Sequence, residues 1–192
     1  WGARLAEVEM TYVALSAAIT ARQRLVVCVA DAGLENRVRS LFTDAGVDLA
    51  RVHFQTLPYD DTWLRDSGPI TLREGGGYRL LDFHFTAWGG KFEAGQDDQI
   101  VATLADRGLF RAARRERIDF ALEGGGIETD GQGTLLSTWT CLHERHPDLS
   151  RAELTRKLQD WLRQDRTLWL DHGYLEGDDT DAHIDTLARF AA

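Results

Sequence analysis

Two short stretches hold side chains whose spacing could do chemistry. Asp61-Thr62-Trp63-Leu64-Arg65-Asp66-Ser67-Gly68-Pro69 crowds acids, a base and an aromatic against a Gly-Pro turn. Gly177-Asp178-Asp179-Thr180-Asp181-Ala182-His183-Ile184-Asp185 surrounds one histidine with carboxylates. Gly68 and Pro69 let the backbone set the direction of Asp66. The plain alternative is an Asp that satisfies turn amides. Two carboxylates fixed in this way suit a planar guanidinium, whose N–H donors take bidentate, charge-assisted partners. His183 lies two residues from Asp181 and Asp185, and flanking acids fix a histidine's tautomer for general acid/base work. The same acids could hold a divalent metal, or form a merely solvated loop. His143 and His146, three apart beside Pro147, read as a surface turn rather than as ligand spacing.

A third stretch, Leu122-Glu123-Gly124-Gly125-Gly126, sets a glutamate at a strand end before three glycines. Such a run permits close backbone approach. Its spacing fits neither a dinucleotide fingerprint nor a P-loop. Trp88-Gly89-Gly90-Lys91 reads as a tight turn or a substrate-side loop, and Trp63 as a channel wall or a core residue.

These motifs must be placed by regular elements. Residues 3–22 put Leu5, Val8, Tyr12, Leu15 and Ile19 at helical spacing. A strand is expected over 25–30, then a helix over 33–44 with Leu34, Val38, Leu41 and Phe42 on one face, then a strand over 52–57. Residues 69–72 and 78–83 form a hairpin around Gly75-Gly76-Gly77. A helix over 97–106 turns Ile100, Val101 and Leu104 inward, and a strand covers 118–122. A second hairpin pairs 126–128 with 134–138. Ser150 and Glu153 form a capping box for a helix carrying Leu154, Leu158 and Trp161. A strand over 167–170, the acidic loop and a last strand from Ile184 complete the chain. Helix, strand, acidic or Gly-rich loop, strand recurs about three times. Equivalent loops of a circular repeat face one axis, which would gather Asp66, Glu123, His183 and Asp185.

A length of 192 residues, with 43% hydrophobic and 28% charged, suits a soluble globular protein of one or two domains. The net charge of −9 comes without a basic patch. This argues against nucleic acid or an anionic membrane as the partner and is compatible with a small cation. No apolar run approaches the ~20 residues of a membrane span. Two cysteines make no disulfide framework and favour a reducing, cytoplasmic setting. A start at Trp1 and a stop just after an apolar run lead us to expect a piece of a longer chain.

In order, the motifs Thr62–Pro69, Ala87-Trp88-Gly89-Gly90-Lys91, Glu123–Gly126, Asp130-Gly131-Gln132-Gly133-Thr134, Cys141-Leu142 and Asp178–Asp185 resemble the agmatine deiminase and bacterial-type peptidylarginine deiminase family of guanidine-modifying enzymes. The resemblance runs from about residue 5 to the end. It implies an α/β fold, the five-bladed α/β propeller called pentein, with roughly three of five blades within residues 1–192 as one incomplete catalytic domain. It implies His183 as general acid/base, Glu123 as its orienter, and Asp66 and Asp185 as guanidinium binders, with Trp63 and Arg65 on the substrate side.

Family members attack the guanidinium carbon with a cysteine thiolate from a Gly-rich segment near the C-terminus. The resemblance therefore puts the nucleophile outside these residues, makes Cys141 structural, and leaves this chain by itself inactive. Ala182 stands where the family commonly has glycine, and a left-handed backbone there would be slightly strained. No metal or organic cofactor is implied. The implied reaction turns a guanidino substrate, agmatine first, into its ureido product N-carbamoylputrescine, a step toward putrescine. A peptidylarginine deiminase, a metal-dependent hydrolase built on the acids of 178–185, and a non-catalytic guanidine-binding module are the alternatives. The oligomeric state stays open.

Overall fold

The computed structural model describes residues 2–191. The chain parts into two compact units, residues 1–59 and 60–192. The fold is mixed α/β.

The first unit runs α1 (Leu5–Thr20), β1 (Leu25–Val29), α2 (Ala32–Asp44) and β2 (Val52–Thr56). β1 and β2 pair in parallel, with Leu25 opposite Val52, and α2 is the crossover that a parallel pair requires. Asp31 starts α2 by accepting the Leu34 N–H. Val13, Phe42, Val47 and Val52 form the core. The stripe read from the sequence of α1 is not the buried one. Leu5, Tyr12 and Leu15 are about half exposed, while Val13, Ser16 and Thr20 face inward. Both sets have helical spacing, so the period reveals the helix but not which face packs.

The second unit repeats one plan twice. First come α3 (Leu64–Ser67), β3 (Ile70–Glu74), β4 (Gly77–His84), α4 (Ala87–Gly90), α5 (Ile100–Asp106) and β5 (Ala113–Ala121). Then follow β6 (Ile127–Thr129), β7 (Thr134–Thr138), α6 (Trp139–Arg145), α7 (Arg151–Leu162) and β8 (Arg166–Leu170). Each half is an antiparallel hairpin whose second strand takes a parallel third strand, in the orders β3-β4-β5 and β6-β7-β8. Leu81, Phe83, Ile118, Phe120, Leu135, Leu142, Leu154 and Leu158 share one core. Ser150 and Glu153 form the expected capping box at the start of α7.

Three elements differ from the sequence reading. β5 begins at Ala113 rather than Ile118, through an Arg-rich run that reads as surface. Its arginines are held by acids: Arg115 donates to buried Asp82 of the neighbouring strand at 2.7 Å, and Arg117 reaches both Asp82 and Asp98, the latter in the turn before α5. The stretch around His143 is no surface turn, because it lies in α6. His143 stacks on Trp139 and His146 stacks on Phe120. Ile184 begins a single 3-10 turn, Ile184–Thr186, not a strand. Its carbonyl accepts the Leu187 and Ala188 N–H groups, which closes the backbone on itself. No described helix is long and apolar enough to cross a membrane.

The junction of β7 and α6 ties the acidic loop down. The Thr138 hydroxyl donates to the Ala182 carbonyl at 2.7 Å and accepts the Cys141 N–H at the head of α6. Thr138→Val keeps the shape and strands both backbone groups in a buried place. A loss of about 2–3 kcal/mol is expected in denaturant unfolding, where a surface threonine would cost a few tenths.

Candidate active site

The site is assembled around the Gly-rich turn that follows β5. Gly125 donates its N–H to Asp66 Oδ1 at 2.9 Å. A Cβ on Gly125 would lie 2.5 Å from His183 Nδ1, 2.7 Å from Asp66 Oδ1 and 3.0 Å from Asp185 Oδ2. A Cβ on Gly124 would lie 2.1 Å from the Arg65 carbonyl oxygen. The two glycines are therefore required by space. Asp66 converges on one point with His183 and Asp185, which lie more than a hundred residues further along the chain.

Asp66 sits in α3 and is 8% exposed. Its second oxygen accepts the Trp88 indole N–H at 3.2 Å. Burial pushes its carboxyl up, more than the neighbouring His183 ring, the Gly125 N–H and the indole pull it down. Glu123 is 1% exposed. Burial pushes it up as well, but the His183 ring and the Arg145 guanidinium outweigh this and hold it below the ordinary glutamate value.

His183 is 2% exposed, between these two acids. Nδ1 lies 3.7 Å from Asp66 Oδ1, and Nε2 lies 3.7 Å from Glu123 Oε2. Both are ion-pair distances beyond hydrogen-bond reach, and Nε2 has no hydrogen-bond partner among the described residues. Glu123, which the resemblance implies as the orienter of His183, thus stands beside the ring without a hydrogen bond to it. Glu123 is bonded to Arg145 Nε through Oε1, at 2.8 Å.

The histidine is presented by a strained turn. Asp181 (φ 62°) and Ala182 (φ 65°) are both left-handed, at roughly 1–2 kcal/mol each. Asp178 accepts the N–H groups of Thr180 and Ala182, and Lys91 Nζ donates to the Asp179 carbonyl at 2.6 Å. These bonds hold the turn, so the alanine before His183 adopts the conformation that glycine would take more cheaply.

The remaining expected residues are less central. Trp63 precedes α3 and is half exposed. Arg65 donates from Nε to Asp185 Oδ2 at 2.8 Å and approaches Glu128 at 3.8 Å. Its guanidinium therefore occupies one oxygen of Asp185. Two clefts flank the buried centre. One, of about 240 Å³, is lined by Asp60, Asp61, Phe85, Trp88, Phe92, Glu93 and Asp97. The other, of about 600 Å³, runs past Arg65, Pro69, Gly124, Ile127, Glu128 and Arg189.

Sequence reasoning missed one participant. Arg145, at the end of α6, has a side chain 1% exposed and joins Glu123 to the acidic loop. Nothing in His143-Glu144-Arg145-His146 marks it as buried. Cys141, fully buried, lies against the centre: its sulfur, a Glu123 oxygen and a His183 nitrogen fall within 4.8 Å of one another. These are donor types that zinc accepts. Burial and the nearby Glu123 carboxylate push the Cys141 thiol far up, however, and the thiolate is what binds metal or attacks carbon. The Arg145 cation on Glu123 further disfavours a second cation there.

Residues 1–192 match the model of the Porphyromonas-type peptidyl-arginine deiminase family. The chain belongs to that family. It is 37% identical over 191 residues to an agmatine deiminase of Pseudomonas aeruginosa (strain LESB58), covering 95% of this chain and 49% of the relative. A C. jejuni agmatine deiminase, solved as a cysteine-to-serine variant with substrate bound, superposes with TM-score 0.84 at 32% identity, over 99% of this chain and 55% of that one. The agmatine deiminase of Enterococcus faecalis gives TM-score 0.80 at 30% identity, over 96% of this chain and 50% of that one. The chain spans about half the length of the curated relatives it matches.

Two outcomes test this family member's site. Gly125→Ala should break the convergence of Asp66, His183 and Asp185, and should cost about 2–4 kcal/mol of stability in urea unfolding, as buried overpacking does. Unchanged stability would mean that the cluster is looser than drawn. Glu123→Gln should be less stable than wild type by about 3 kcal/mol at neutral pH, because Arg145 loses its buried partner. Glu123 is depressed in the folded state, so its contribution is present above its ordinary value and is lost as pH falls through the folded value. The gap between variant and wild type should close as acid is added.

Proposed function

We propose that the protein containing these residues is a C–N hydrolase that converts agmatine and water to N-carbamoylputrescine and ammonia. The convergence of Asp66, His183 and Asp185 on Gly125 carries this reading. It is supported by relatives and superposed structures named as agmatine deiminases. Asp66 and Asp185 grip the guanidinium nitrogens. A cysteine thiolate attacks the guanidinium carbon and forms a C–S bond. His183 gives a proton to the departing nitrogen, and ammonia leaves. His183 then takes a proton from water, the oxygen adds to the same carbon, and the thiolate departs as the ureido product forms. Glu123 steadies the imidazolium, and no metal enters. Cys141 is a poor candidate for the thiolate because its thiol is covered and its acidity suppressed. The reading therefore takes the nucleophile from elsewhere in the whole protein, with residues 1–192 forming part of one catalytic domain.

The repeated hairpin-and-parallel-strand plan fits roughly three blades of a pentein propeller, the first without its hairpin. A reducing cytoplasm suits a thiolate mechanism. Peptidyl-arginine is the competing substrate.

The test is an ammonia-release assay of the whole protein on agmatine and on an arginine peptide, with Asp185→Asn beside wild type. Turnover of agmatine in preference to the peptide is expected. Asp185→Asn should lower kcat/KM about 30- to 5,000-fold, the range for removing one partner of a buried charge pair. Preference for the peptide overturns the substrate. Wild-type kcat/KM in Asp185→Asn overturns the clamp.

A further inference from the structure

The mechanism above leaves one fully covered charge unused. Arg145 extends from the last turn of α6 and makes three different donations with its planar head. Nε bonds Glu123 Oε1 at 2.8 Å, Nη1 bonds Asp181 Oδ2, and Nη2 bonds the Thr180 carbonyl at 3.1 Å. Glu123 follows β5, and Thr180 and Asp181 lie three and two residues before His183, so one side chain joins two segments far apart in sequence. Burial opposes the charge, yet Glu123 and Asp181 outweigh it and stabilise the cation. The 87–91 turn closes over the guanidinium: a Cβ on Gly89 would lie 3.2 Å from Nη1. Lys91 of the same turn bonds Asp181 through the other carboxylate oxygen. Asp181 is thus held from both sides in a left-handed conformation that it would otherwise leave.

We propose that Arg145 is a positioning residue for the reaction, tying the Glu123 carboxylate to the Thr180–Asp181 turn and so setting where His183 stands between its two acids. The proposal rests on the deiminase reading above for its effect on rate, though the tether itself does not depend on it. Among the described residues Arg145 bonds Glu123, Asp181 and Thr180 but neither Asp66 nor Asp185, so it should matter to proton transfer and little to holding the substrate. It should also matter to pH. Without it, Glu123 keeps the burial that raises its pKa and loses one of the two neighbours that lower it. A lysine would keep the charge but not the fork, since its three donors radiate from one nitrogen.

The test uses the whole protein as wild type, Arg145→Met, Arg145→Lys and Asp181→Asn. Arg145→Met should lower kcat roughly 10- to 100-fold, as loss of a group that orients a catalytic ligand does. Agmatine affinity by equilibrium binding should stay within about threefold. The acid limb of its kcat–pH profile should move to higher pH, because Glu123 must be ionised and would now protonate earlier. Arg145→Lys should recover part of the rate. Amide exchange at Ala182 and His183 should quicken in Arg145→Met and Asp181→Asn relative to the rest of the chain.

A folded Arg145→Met with wild-type kcat, or a loss confined to binding, overturns the proposal. If Arg145→Met does not fold, Arg145→Lys and Asp181→Asn decide, and wild-type kcat in both overturns it. A wild type inactive on agmatine sinks the deiminase reading instead. The exchange rates then judge the tether alone, and unchanged rates in the variants reject it.

Discussion

The buried ion pair of Arg145 with Glu123 is the constraint on which the rest of the site depends. A carboxylate this deep in protein is costly unless a cation and hydrogen bonds accompany it. Arg145 supplies both, and it spends its remaining donors on the turn that carries His183. Removing either partner leaves a covered charge without compensation, so neither can drift far. Glu123 in turn opens the Gly-rich run whose middle residue is enclosed by Asp66, His183 and Asp185. One electrostatic contact therefore fixes the position of an acid, a base and a backbone turn together.

Backbone strain is the second constraint, and it is met locally. Trp88, Asp181 and Ala182 all take left-handed conformations within a few residues of the site. Each lies where a side-chain bond requires it: the Trp88 indole reaches Asp66, Asp181 is shared by Lys91 and Arg145, and Ala182 hands its carbonyl to Thr138. Strained residues persist where surrounding contacts over-determine them. The site lies at the meeting of several chain segments, and the bonds between segments hold conformations that isolated loops would relax.

Much of this was legible in the residues. The carboxylate-bearing loops, the triple glycine and the histidine read as converging, and Asp66, Glu123, His183 and Asp185 do come together. The hairpins, the capping box of α7 and the inward face of α5 follow from turn residues and period. What was hidden has one physical origin: charge that is cancelled only in three dimensions. Arg115 and Arg117 make β5 look like surface until Asp82 is seen beside them. Arg145 looks like a solvated helix end until Glu123 and Asp181 surround it. The pattern of α1 misled for the opposite reason, because both its apolar stripe and its smaller, buried face obey helical spacing.

The two acids beside His183 are pushed in opposite directions, and this divides their tasks. Glu123 has a permanent cation within bonding distance and stays ionised. Asp66 accepts two neutral donors, Gly125 N–H and the Trp88 indole, and has no arginine or lysine bonded to it among the described residues. Burial then raises its carboxyl. A carboxylate pre-oriented by two hydrogen bonds yet short of positive charge is stabilised by whatever cation arrives, most of all by a planar one with donors to share. Asp185 differs again, because Arg65 already engages one of its oxygens and leaves the other for a newcomer. The cluster therefore has Glu123 neutralised internally by Arg145 and Asp66 left without a bonded cation. This is the arrangement in which a guanidinium ligand completes the charge balance rather than competing for it. Pairs of titratable groups driven apart by their surroundings mark separate roles within one site, and here the His183 ring and Arg145 pull Glu123 down while no arginine is bonded to Asp66 among the described residues.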